Sequence, residues 1–318
     1  MTKKVTYIIY EVIFMLSMGK IEYYPPQTYK NLTVFGIRNK TDKKPDFLTL
    51  DIGLDMGLVE ITELDDAGVV SEVIVKNNAV TPLLILDGEE VIGSKQNRIF
   101  NSTIIIEAKT TKKVNVSCTE AGRWSDTSKV FVRSDNIAPV SLRRGTKESV
   151  LKSLRHDNLY RADQSRVWSD VALTQKALSS VSETSALSDT FTSMEKEIED
   201  YLEHFKVANG QNGCIVIINN KIAGMEYVCD ENKYLQYHKK IIKSYILDAL
   251  KTSKDVATTV NTDDLDEFVS RIDLDKMEKF NVESNADDYR LDDEEVTASV
   301  LVYDDNIINV SILNKLSA

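Results

Sequence analysis

Residues 83–108 read LLILDGEEVIGSKQNRIFNSTIIIEA, and the fold turns on how this stretch is parsed. The runs 82–86 and 102–107 are short, apolar and rich in β-branched residues, as buried strands are. EEVI at 89–92 reads as a third strand. Asp87-Gly88 predicts a two-residue hairpin, since type I′ turns need positive φ at both central positions. That leaves GSKQNR, six residues with two cations and two amides and no apolar side chain, between strands that want a core.

Working outward, candidate strands at 33–37, 58–63, 71–76 and 114–119 make the first third β-rich, and their close spacing predicts an antiparallel sandwich. From about 146 the apolar period becomes 3.6. Thr146 can cap a helix carrying Val150, Leu151 and Leu154, and further helices are predicted over 163–181 and 186–206. The last third returns to strands. IVIINNKIAGMEYV (215–228) is a hairpin turning at Asn219-Asn220, and Asp230 caps a helix over 231–251. SVLVYDDNIINVSIL (299–313) is a second hairpin turning near Asp304. The expected class is α+β: an N-terminal antiparallel β-sandwich, a helical middle, and a C-terminal two-hairpin-plus-helix unit. The boundaries expected are an extension at 1–20, the sandwich at 21–135, the helical segment at 136–208 and the α+β unit at 209–318. An acidic insertion at 253–295 interrupts that unit and holds one amphipathic helix with Leu265, Phe268, Val269 and Ile272 on its apolar side.

Apolar residues at 42% and charged residues at 28% describe a globular chain with material for a large core. Lys3 and Lys4 precede VTYIIYEVIFMLSM, but Glu11 interrupts the run and about 14 residues cannot span a bilayer. The stretch is read as a buried element, or as preceding a native start at Met18, and not as a targeting signal. Three scattered cysteines and three scattered histidines point to neither a disulfide framework nor a metal site, and a reducing cytoplasm is the expected compartment. The net charge of −11 is uneven: residues 253–318 hold 17 acids against 6 bases, whereas 123–166 hold 10 bases against 5 acids. An acidic chain is a poor nucleic-acid partner, yet a local basic pocket suffices for a small anion. NTDDLDEF is acidic like a calcium loop but lacks that loop's glycine and spacing. No cofactor and no membrane contact is expected.

GxSxG, GxxxxGK[ST], GxGxxG and HExxH are all absent. His204 and His238 fall at surface or face-edge positions of predicted helices, and Cys118 reads as packing. In VNVSCTE the side chains of Val114, Val116 and Cys118 share one strand face. If that face is inward, Glu120 inherits the direction as the strand ends and needs a cation, for which Lys95, Arg98 and Arg123 are the candidates.

DGEEVIGSKQNRIFN, VNVSCTEAGRW, ADQSRVWSDV (162–171), SALSDTF (185–191) and the closing SYILDAL resemble, in order over roughly 30–250, the ADP-ribosylglycohydrolase- and rhodanese/phosphatase-associated family. The resemblance implies a metabolic neighbourhood of ADP-ribose and NAD and no mechanism. The residues add the chemistry. Lys95, Arg98 and Arg123 could hold a pyrophosphate, and Gln96, Asn97, Asn101 and Gln164 could read ribose or base edges. Trp124 or Trp168 could stack on adenine, with Trp168 more readily explained as packing. Glu120, Asp163 and Asp189 would supply acid/base groups if there is hydrolysis. Glu90 reads equally as a solvated strand residue or a ligand contact. Against a site stands a brace, in which the amides satisfy backbone groups and Arg98 pairs with Glu89 or Glu120. A different reading is a non-enzymatic module that meets a protein partner through the acidic segment.

Overall fold

The computed structural model describes residues 21–40, 45–64, 71–252, 261–270, 277–281 and 285–315; the stretch 1–20 and Ile272 lie outside these. Two compact units form. The first comprises Met1–Pro45, Tyr201–Ile242 and Thr252–Ala318, and the second Asp46–Asp200 with Lys243–Lys251.

The chain opens in the first unit with β1 (Ile21–Tyr23), β2 (Gln27–Tyr29) and β3 (Leu32–Asn39). It then builds the second unit from β4 (Leu48–Thr49), α1 (Leu50–Asp55), β5 (Val59–Glu63), β6 (Glu72–Asn77), β7 (Leu83–Ile85) and β8 (Glu89–Gly93). β9 (Arg98–Phe100), β10 (Ile104–Ile106), β11 (Thr111–Cys118) and β12 (Phe131–Ile137) complete its strands. The helices α2 (Val140–Asp157), α3 (Gln164–Ala177), α4 (Leu187–Ser193) and α5 (Glu195–Leu202) follow. The remainder is β13 (Gly213–Ile218), β14 (Lys221–Val228), α6 (Glu231–Lys251), α7 (Thr262–Ser270), β15 (Glu278–Asn281), β16 (Ala286–Asp292), β17 (Val296–Tyr303) and β18 (Asn306–Asn314).

The second unit is the expected sandwich followed by helices. A six-stranded antiparallel sheet, β12-β8-β9-β11-β6-β5, shares one core with the three-stranded sheet β10-β7-β4. Val59, Ile61, Val73, Val75, Val91, Phe100, Val114 and Val116 meet Leu83, Ile85, Ile104 and Ile106 there. The parity reading of 114–118 therefore holds for Val114 and Val116. The hairpin reading of Asp87-Gly88 does not. β7 pairs with β10 and β4, and β8 with β9 and β12, so the turn carries the chain from one sheet to the other. Only Gly88 has positive φ (81°), and Glu89 N donates to Leu86 O at 3.2 Å, which is type II chemistry with glycine third. LLIL is apolar on both faces and so belongs to a strand covered on both sides, not to a half-exposed hairpin arm.

The helical middle also departs in detail. α2 begins at Val140 behind Pro139, whose φ of −53° suits helix entry, so Thr146 is an interior, buried residue and not a cap. The helix expected over 186–206 breaks at Met194, after hydroxyl residues that form helices weakly.

In the first unit the two predicted hairpins form. Asn219 and Asn220 have φ of 50° and 63°, and Asp304 and Asp305 have 47° and 60°, the positive pairs of type I′ turns. Asp230 Oδ1 accepts from the backbone N–H groups of Asn232 (2.8 Å) and Lys233 (3.0 Å) and caps α6 as expected. The hairpins lie in a nine-stranded sheet ordered β1-β3-β13-β14-β18-β17-β16-β15, with β2 on β3. The acidic stretch supplies its edge strand β15 and the adjoining β16, and the apolar side of α7 (Leu265, Phe268, Val269) is buried. Among the described residues no helix is long and apolar enough to cross a membrane.

His238 is buried, not at a face edge. Its Nε2 lies 3.2 Å from Phe205 O, which can only accept, so Nε2 carries the proton and Nδ1 accepts from Tyr234 Oη at 3.1 Å. Burial pushes its pKa down to about 4, against the opposing pull of the Phe205 carbonyl. Below pH 6.5 the unfolded chain takes a proton that the folded chain refuses. Stability is therefore whole above that pH and declines toward pH 4, by about 3 kcal/mol at most. Denaturant unfolding of wild type and His238→Gln at pH 7 and pH 5 checks this: the variant should lose most of the decline, and equal declines would refute it.

Candidate functional site

GSKQNR is the turn of the β8–β9 hairpin. Arg98 begins β9 opposite Cys118 of β11, so the turn arrives at the end of the sheet where Glu120 leaves it. Gly93 has φ of 121°, and a Cβ there would stand 2.5 Å from Ser128 Oγ, so glycine is required at the first position of the turn. Asn97 holds the turn shut: its Oδ1 accepts from Gly93 N (3.2 Å), and its carbonyl accepts from Thr119 N (3.0 Å).

Glu120 meets this turn in closed packing. Arg123 grips its carboxylate with two donors, Nε to Oε1 at 2.8 Å and Nη2 to Oε2 at 2.6 Å. Thr184 Oγ1 donates to Oε1 (2.8 Å), and Asn97 N to Oε2 (3.1 Å). Burial would raise the Glu120 carboxyl, but the Arg123, Thr184 and Asn97 bonds outweigh it and hold the pKa below the usual value. Arg123 spends its other donors on Ser94 O (2.6 Å) and Ser125 O (2.9 Å). Gln96 Nε2 donates to Glu120 O (2.8 Å), and its Oε1 accepts from Arg98 Nη1 (3.1 Å). Gln96, Asn97 and Glu120 are all buried.

The remaining expected residues divide. Both polar atoms of Gln164 bind the backbone of Cys118, at 2.8 Å each, and Asn101 joins Ser117 to Tyr160 O, so both tie segments together. Asp163 caps α3 through Ser165 N and Arg166 N, and Asp189 accepts from Ser182 Oγ; neither hydrogen-bonds Glu120. Ser188 beside Asp189 does reach the site, accepting from Asn97 Nδ2 at 3.2 Å. Glu90 is fully buried, not solvated. Thr119, Ser134 and Asn136 donate to it, and burial pushes its pKa up.

Trp124 is different in kind: the residue is 48% exposed. Lys95 Nζ and Arg98 Cζ each lie 5.9 Å from its ring centre, within cation–π range. Arg98 does not pair with Glu89 or Glu120. Its ion partner is Glu63 at the end of β5, at 3.5 Å, and Lys95 pairs with Asp126 at 3.7 Å. Each of the three cations thus has its own carboxylate, which leaves a pyrophosphate no uncommitted clamp. Among the described residues, Arg98 Nε and Glu63 Oε2 are buried without a hydrogen-bond partner. The strand-parity argument that found Glu120 applies equally to Glu63, which shares a face with Val59 and Ile61.

A second buried charge cluster went unread. Asp87 receives Arg143 Nε (3.0 Å) and Lys147 Nζ (3.2 Å) from α2, and Thr103 Oγ1 (3.2 Å). Burial opposes ionisation of Asp87, but the two cations outweigh it and hold its pKa well below the carboxylate range. Arg143 and Lys147 stand four apart, in register with the Val150/Leu151/Leu154 stripe, and that spacing was the available signal.

Among the described residues no group of three or more His, Cys, Asp and Glu is placed to hold a metal ion. The sequence model of the ARG and Rhodanese-Phosphatase-superfamily-associated Protein domain matches residues 20–313. No curated protein and no solved structure is significantly similar to the chain.

Proposed function

Because the chain belongs to the ARG and Rhodanese-Phosphatase-superfamily-associated Protein domain family, whose name ties it to ADP-ribosylglycohydrolases, we propose that it binds an ADP-ribose-like nucleotide. The ring stacks on Trp124, beside Lys95 and Arg98. One observation carries the reading: a half-exposed Trp124 flanked by two cations and next in sequence to Arg123, whose guanidinium is held by Glu120, Ser94 and Ser125. An aromatic side chain has only two rotatable bonds, so ordering it on binding costs little entropy. Lys95, partly open, is free to trade Asp126 for a ligand phosphate, since an ion pair with an exposed carboxylate at 3.7 Å contributes little. Glu120, with both oxygens taken, acts as the brace under this surface and not as its acid or base.

Calorimetry with ADP-ribose, NAD and cyclic ADP-ribose tests this. Trp124→Ala is expected to weaken binding about 5- to 150-fold, the range of a single base stack of about 1–3 kcal/mol, and to leave stability within about 1 kcal/mol. Silence from all three nucleotides at millimolar concentration would refute the proposal.

A further inference from the structure

The loop 123–128 is strapped to the β8–β9 turn through Ser94. Ser94 O accepts from Arg123 Nη1 (2.6 Å), Thr127 N (3.0 Å) and Thr127 Oγ1 (3.3 Å), and Ser94 N donates to Ser128 Oγ (2.9 Å). Between these fixed points the loop presents Trp124 and Asp126 to solvent, and the Asp126 side chain is 62% exposed. Both meet Lys95, the residue after Ser94. Asp126 Oδ2 lies 3.7 Å from Lys95 Nζ, and the centre of the indole lies 5.9 Å from it.

Of the three cations around the indole, Lys95 is the one whose carboxylate partner stands in solvent. Arg98 and its partner Glu63 are buried, and the guanidinium of Arg123 is gripped by Glu120. An anion arriving from solvent therefore reaches positive charge at Lys95, where the Asp126 carboxylate already stands. An exposed pair at this distance contributes little, so a stronger anion displaces the carboxylate. The carboxylate also repels any anion that approaches, in proportion to its charge. A free anion has nothing to offset that opposition. An anion joined to a stacked ring does, because the ring holds it at high local concentration beside Lys95.

We infer that Asp126 is a specificity-determining residue: it occupies Lys95 against free anions and yields it to the pyrophosphate of a ligand anchored on Trp124. This rests on the stacking surface proposed above and adds a charge filter to it. The test is calorimetry of the full chain with ADP-ribose and with adenosine, which has the ring but no phosphate, in wild type and Asp126→Asn. Asparagine keeps the shape and removes the charge at an exposed position. The affinity for ADP-ribose relative to adenosine should rise about 3- to 10-fold in the variant. Inorganic pyrophosphate should compete with ADP-ribose better in the variant than in wild type. Adding Lys95→Met should remove most of the gain, since the carboxylate acts on that ammonium. An unchanged or lower ratio, equal competition by pyrophosphate, or a gain undiminished by Lys95→Met would overturn the filter and leave the stacking surface standing. Binding of neither ADP-ribose nor adenosine would overturn both.

Discussion

Asp87→Asn is expected to lower the unfolding free energy by about 3–5 kcal/mol, the cost of breaking a buried pair from one side. The carboxylate compensates two buried cations of α2, Arg143 and Lys147, and an amide of the same shape supplies no charge. The turn is also built around it. Gly88 follows at φ 81°, and a Cβ there would stand 2.8 Å from Arg143 Cδ, so the guanidinium stem lies directly on the turn. The contrast is Arg133, half-exposed and paired with Asp55 and Asp135, whose replacement by Ala should cost no more than about 1 kcal/mol. Denaturant titrations at low and high salt separate the two: the buried cluster should hold its value, and the exposed one should fade. The sign with pH follows from the depressed Asp87 pKa. Its contribution is present above the unfolded value near 4 and is lost only as pH falls further. A loss under about 1 kcal/mol for Asp87→Asn would mean that the cations find other compensation.

What could be read from residues alone divides along the same physical line. Turns whose chemistry is local, Asn219-Asn220 and Asp304-Asp305, were legible because positive φ is a property of two residues. So was the Asp230 cap, and so was the inward direction of Glu120, which needs only the period of a strand. Asp87-Gly88 misled because its dipeptide fits two turn types, and the choice depends on which sheet LLIL joins. Arg143 and Lys147 were hidden because charged residues on a helix are ordinarily assigned to water. Thr184 comes from 64 residues away to reach Glu120, and Glu63 from 32 residues away to reach Lys95 in the turn, and no local pattern announces such meetings. Whether GSKQNR was a site or a brace depended on space around the side chains, which a sequence does not encode. Gln96 and Asn97 of the turn are tied to Glu120, while Lys95 and Arg98 lie against the exposed Trp124.

Glu120→Ala should therefore act on the fold before it acts on any ligand. The substitution strips Arg123 of a two-pronged partner and leaves Asn97 N and Thr184 Oγ1 without their acceptor, all in a nearly closed space. The expected cost is about 3–5 kcal/mol. Arg123 keeps its bonds to Ser94 O and Ser125 O, so the turn should loosen without wholesale rearrangement. Glu120→Gln keeps the shape and one acceptor and should cost less, since Thr184 or Asn97 can still be satisfied. The same pair of variants separates brace from catalyst. A carboxylate held ionised by a guanidinium and two further donors has no lone pair free for a substrate and a pKa far from that of a general acid at neutral pH. If Glu120 is the brace, ADP-ribose affinity measured on folded Glu120→Gln stays within about threefold of wild type while its melting temperature falls. If instead the variant melts like wild type but loses turnover of a nucleotide that wild type cleaves, Glu120 touches the reacting atoms, and the Arg123 contact must open during the reaction.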